Sequence, residues 1–196
     1  MSEIKECFGY KRMWFALKGV EVDQVLSCCP SLKYAGEITW EEGLRQIREN
    51  WQSKAMLSGP YDGWIFIVAI CLWDVSEVEE IVNTMSCMGN YAEEVCFFAS
   101  HRVSDSYAFA KMEKGSMVRL YSCGDGELFG CVGERSAAEK ELCLKLPECE
   151  EDLFGDEFSI LEEEDVLDLS EKWAMRPEEL IGREEARTVL LNWQQQ

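Results

Sequence analysis

The chain has 196 residues, 47% of them apolar and 11% aromatic, with seven Trp, which is enough for one globular core and excludes disorder throughout. Nineteen Lys and Arg against 38 Asp and Glu leave a formal charge of −19. That field repels phosphate backbones and anionic membrane surfaces and draws in basic partners, so a direct nucleic-acid binder is set aside, and no apolar run approaches the roughly 20 residues that a membrane span needs.

In chain order, residues 12–18 are short, rich in large apolar side chains and closed by Gly19, which predicts a first strand. Val22, Val25 and Leu26 fall at helical spacing up to Pro30, predicting a helix over 21–29. Thr39 and Glu42 have the spacing of a capping box. The helix that follows should bury one stripe made of Trp40, Leu44, Ile47 and Trp51. The segment 59–63, with two Gly and one Pro, is a turn signal. Residues 64–73 then run apolar without alternation, as a strand covered on both faces would. Val75, Val78, Ile81, Val82 and Met85 recur at helical period and predict an amphipathic helix packed on the sheet.

Segments 94–99, 106–111 and 117–122 are strand candidates joined by short turns, the pattern of an antiparallel meander. The glycines at 124, 126 and 130 extend it into a last hairpin around Leu128 and Phe129. Ser136 and Glu139 form a second capping-box signature, opening a helix to about residue 145. Val166, Leu169 and Trp173 share a helical face within 162–174, and Pro177 opens a turn over 178–181. Ala186, Val189, Leu190 and Trp193 suggest a final helix over 183–193. These elements predict an α+β fold in a single domain, 1–196: a mixed or mostly antiparallel sheet, helices packed around it, and an acidic helical C-terminal segment.

The charge is not spread evenly. Residues 139–171 hold 14 acids and two Lys, a net of −12 in 33 positions. Apolar side chains interrupt the acids at Leu153, Phe154, Phe158, Ile160 and Leu161. Such a segment can supply anchors inside an electrostatic rim, which favours fast, salt-sensitive capture of a basic partner. The expected contact residues in 148–165 are Glu148, Glu150, Glu151, Asp152, Asp156 and Glu157, then Glu162, Glu163, Glu164 and Asp165, with Phe154 and Phe158 as anchors.

Motifs for chemistry are scarce. His101 is the single histidine, so any Ser–His or Cys–His device passes through it, with Ser104, Asp105 and several cysteines near in sequence. There is no nucleophile elbow, and none of the ten cysteines forms C-x-x-C. The glycines at 124, 126, 130 and 133 sit among acids and lack a following Lys-Ser/Thr, so they are turn glycines and not a phosphate loop. No metal, cofactor or catalytic residue is expected. Without an export signal, the cysteines are expected to be reduced structural thiols of a cytoplasmic protein. Cys71, Cys87 and Cys96 lie in apolar stretches as small hydrophobes.

Four segments occur in a familiar order: Asp62-Gly-Trp-Ile-Phe-Ile-Val-Ala69, Phe97-Phe-Ala-Ser-His-Arg-Val103, Tyr107-Ala-Phe-Ala-Lys111 and Val118-Arg-Leu-Tyr121. With Gly133, Glu134, Glu139 and the 169–173 segment, they resemble a family of small, uncharacterised bacterial cytosolic proteins that look like immunity proteins of polymorphic toxin systems, type VI secretion included. The resemblance covers about residues 60 to 180 and implies a non-enzymatic protein that binds a cognate secreted toxin and occludes its active site. A basic toxin is the implied partner, and the oligomeric state is left open. Three rivals stand beside this expectation: an acidic DNA mimic that occupies a nucleic-acid enzyme, a small enzyme using His101, and a housekeeping adaptor whose acidity serves only solvation.

Overall fold

The structure is a computed structural model that describes residues 11–155, 157–159, 161–181, 183 and 186–193. In chain order the elements are β1 (Lys11–Lys18), α1 (Val22–Cys28), β2 (Leu32–Glu37), α2 (Trp40–Glu49), β3 (Lys54–Tyr61), β4 (Trp64–Ala69) and α3 (Val78–Gly89). There follow β5 (Glu94–His101), β6 (Ser106–Glu113), β7 (Ser116–Gly124), β8 (Glu127–Val132), α4 (Ala137–Glu141), α5 (Glu163–Trp173) and β9 (Arg187–Trp193). Among the described residues, no helix is long and apolar enough to cross a membrane.

Among the described residues, nine strands make one sheet in the order β2-β9-β3-β4-β1-β5-β6-β7-β8, with every neighbouring pair antiparallel. The α+β class read from the sequence is the class observed, in the antiparallel form. Tight turns explain why β3 pairs with β4, β6 with β7 and β7 with β8. Asp62-Gly63, Lys114-Gly115 and Asp125-Gly126 each place two successive residues at positive φ, the conformation of a two-residue turn whose twist matches that of the flanking strands.

Both faces of the sheet are covered. Along β1, Met13, Phe15 and Leu17 point to one side, where α1 (Val22, Val25) and α3 (Ile81, Met85, Met88) pack. Trp14 and Ala16 point to the other, against α2 (Trp40, Leu44, Ile47) and α5 (Val166, Leu169, Trp173). This is why β4 is buried at all six positions and why its sequence lacks alternation.

The structure departs from the sequence reading at several points. The segment 183–193 is not a helix: β9 inserts between β2 and β3, and Val189 and Leu191 alternate into the core. Helical spacing was satisfied by chance, while the β-branched and aromatic side chains fit a strand. Strands β2 and β3, the partners that β9 joins, carry no periodicity that had marked them. The apolar run 64–73 is strand only to Ala69; the chain then turns so that Trp73 packs on Phe15 and Trp193. Trp51 lies beyond the end of α2 and is exposed, because the helix stops at Glu49 and the stripe breaks off after Ile47. Thr39 does cap α2, but Glu42 does not reach back; its carboxylate is taken by Arg45 and Gln46. Helix α4 ends at Glu141 instead of continuing to 145, and Cys143 adopts positive φ as Leu144 and Leu146 turn into the core.

One buried ion pair fixes the far end of the sheet. Arg119 of β7 and Glu139 of α4 are each 0% exposed. The Arg119 Nε donates to both Glu139 oxygens at 3.1 and 3.2 Å, and Nη2 donates to Oε1 at 2.8 Å. Nη1 donates to the carbonyls of Gly133 and Val132. Glu139 also accepts the Ser136 N–H, closing the capping box that the sequence signalled. Helix α4 is thereby tied to the β7–β8 hairpin, and the chain that leaves it is set across the end of the sheet.

Candidate functional site: an acid-walled cleft

An antiparallel meander brings every second turn to the same end. The β5–β6 connection, through the 3₁₀ turn Arg102–Ser104, and the β7–β8 turn therefore lie side by side. Asp105 sits there at φ 43° and Asp125 at φ 52°, left-handed conformations that Asp tolerates well. The chain leaving α4 forms the facing wall, through Pro147, Leu153, Phe158 and Leu161 to the first turn of α5. Between them is an open cleft of about 940 Å³, large enough to take a segment of a partner and far wider than a single ion needs.

The electrostatics are one-sided. Six carboxylates line the cleft against one guanidinium, that of Arg102, and Arg102 is turned to Glu163 at 3.5 Å. Glu163 also receives Arg12 from inside the sheet, while Arg12 reaches on to Glu178. That network docks the start of α5 on β1. Glu164 pairs with Arg176 at 3.0 Å. By contrast, Asp105, Asp125 and Glu127 take part in no ion pair among the described residues.

The floor is aromatic. Tyr107 and Tyr121 are buried and line the cleft beside Cys123. Burial, with Asp105, Glu163 and Glu162 adding to it, pushes the Tyr107 phenol up. Burial likewise raises the Cys123 thiol to about 11. These groups stay protonated at neutral pH, so the cleft offers aromatic faces and hydroxyls but no thiolate nucleophile.

The expected contact residues divide into distinct groups. Phe158, Glu162, Glu163 and Glu164 line the cleft together. Glu148, Glu150, Glu151 and Glu157 are exposed and do not line the cleft. Asp152 accepts the Glu148 N–H, and Asp165 accepts the Glu162 N–H in a reciprocal cap of α5. Asp156, Ile160 and the Phe154 side chain lie outside the described residues. The sequence reading did not place Asp105, Tyr107, Asp125 and Glu127 among the contact residues. The signal was available in the meander itself, whose alternate turns had to meet at one end.

His101 stands apart from the cleft floor. Its Nδ1 hydrogen-bonds the Ser104 hydroxyl at 2.7 Å, and Nε2 is buried with no hydrogen-bond partner among the described residues. Burial, reinforced by Lys11, pushes the imidazole pKa down. Burial also raises the Cys71 thiol, the cysteine that shares Lys11 and Asp74 as charged neighbours with His101. The eight cysteines with described side chains are all free thiols. Cys96 is fully buried, with its pKa pushed up to about 12, whereas Cys87 is exposed on α3 and does not serve as a core residue. Among the described residues, no group of three or more His, Cys, Asp or Glu is placed to hold a metal ion.

No family model, no curated protein and no solved structure matches the chain, so the chemistry of the cleft itself has to indicate what it binds.

Proposed function

We propose that this protein is an inhibitor of the immunity type, which binds a basic toxin in the cytoplasm and neutralises it by occluding the toxin's active site. The cleft and the acidic wall over 148–165 form the contact surface. The observation that carries the reading is the charge imbalance of the cleft: six carboxylates to one guanidinium, with Asp105, Asp125 and Glu127 in no ion pair among the described residues. Like charges held together on a rigid frame raise the energy of the free protein, and a cationic partner relieves that repulsion. The protonated thiol and phenols favour binding over catalysis, and the free thiols suit a reducing compartment.

Co-expression with the product of the neighbouring reading frame tests this. Rescue of growth together with a stoichiometric complex that weakens with salt is the expected result. A toxic neighbour that is neither bound nor neutralised overturns the proposal.

A further inference from the structure

The cleft contains a feature that acid repulsion does not explain. Tyr107 is only 5% exposed, yet its hydroxyl makes no hydrogen bond among the described residues. That hydroxyl is not among the buried atoms that lack a partner, so it opens on the cleft, where it can accept a bond from a ligand. Here the ring lines the cleft and the hydroxyl lies in the field of Asp105, Glu162 and Glu163. Asp125 lines the same cleft from the β7–β8 turn, and Phe158 lines it from the wall that leads to α5.

We infer that this corner of the cleft is a guanidinium site, which takes an arginine side chain presented by the basic partner. A guanidinium is planar, with five N–H donors spread around its edge and two weakly hydrated faces. Its edge can donate to Asp105 and Asp125 from two directions while the Tyr107 oxygen accepts a third bond, and its face can lie on an aromatic ring. A lysine ammonium is compact and more strongly hydrated, and offers no flat face for the rings. The same chain builds this arrangement internally: Arg119 is bonded to Glu139 and lies 5.9 Å from the ring centroids of both Phe109 and Tyr121. The inference rests on the inhibitor reading for the source of the arginine, but the site can be tested without the toxin.

The test is titration of the full chain with N-acetyl-arginine amide and, separately, with N-acetyl-lysine amide, followed by amide-resolved NMR. Shifts confined to residues around Asp105, Tyr107 and Asp125 are expected, with arginine bound several-fold more tightly than lysine. The Asp105→Asn/Asp125→Asn pair should weaken arginine binding about tenfold, the loss of charge-assisted hydrogen bonds. Asn is at home at these positive φ values, so the pair should melt at the wild-type temperature. Tyr107→Phe keeps the ring and should cost a smaller factor. Equal, scattered shifts for both probes, or undiminished binding to the Asn pair, would overturn the site. If arginine amide fails to bind while the co-expressed toxin is still neutralised, the guanidinium site is wrong and the inhibitor reading survives. Binding of arginine amide without neutralisation of the toxin gives the reverse result.

Discussion

Replacing Glu139 by Ala should be among the most damaging single changes in this protein. It removes all three hydrogen bonds to the Arg119 Nε and Nη2 and the bond to the Ser136 N–H. Arg119 would be left fully buried, with partners only for Nη1, at Val132, Gly133 and the Cys131 sulfur. Burial works against its charge, and the Glu139 bonds are what outweigh that. Stranding one member of a buried pair costs about 3–5 kcal/mol, a large share of the roughly 5–15 kcal/mol that holds a domain folded. Urea unfolding followed by tryptophan fluorescence measures the loss. The control is Arg119→Met/Glu139→Leu, which removes both charges and should recover most of the stability, since an apolar pair of similar volume is about as stable as the ion pair or more so. Because the pair ties α4 to the β7–β8 hairpin, Glu139→Ala should also loosen the two walls of the cleft. A cost below about 1 kcal/mol would refute the reasoning, since that is the range of exposed pairs and would mean water reaches Arg119.

Two further outcomes follow from local geometry. Gly133 has φ 77°, and a Cβ there would run into the Val118 carbonyl oxygen, so Gly133→Ala should destabilise by at least about 2 kcal/mol in the same urea assay; a neutral result would mean β8 can shift along β7 without cost. Glu94 feels burial, which would raise its pKa, but Lys111 and Lys18, at 3.0 and 3.2 Å, outweigh it and hold the carboxyl below its usual value. Its contribution is therefore complete above the ordinary carboxylate range and disappears as pH falls below about 4. The stability gap between wild type and Glu94→Gln should be present at pH 6 and close under acid; a gap independent of pH would contradict the assignment.

The sequence by itself determined the elements whose causes are local. The 136–139 capping box, the turns at 114–115 and 125–126 and the helical face of Val166, Leu169 and Trp173 stand where their spacing put them, whereas the turn read over 59–63 is strand up to Tyr61. Each depends on groups a few residues apart, so a short stretch of chain is enough to specify it. The concentration of acid in the last third was legible for the same reason. Only the tertiary structure decided β9, because Val189, Leu190 and Trp193 suit a helix or a strand equally until β2 and β3 offer edges on both sides. Nor could the sequence sort the carboxylates: Glu163 is spent on Arg12, which lies 151 positions away, while Asp105, outside the acidic segment, lines the cleft with no ion pair among the described residues. Charge is a property of composition, but whether a charge is neutralised depends on which distant residue the fold brings to it.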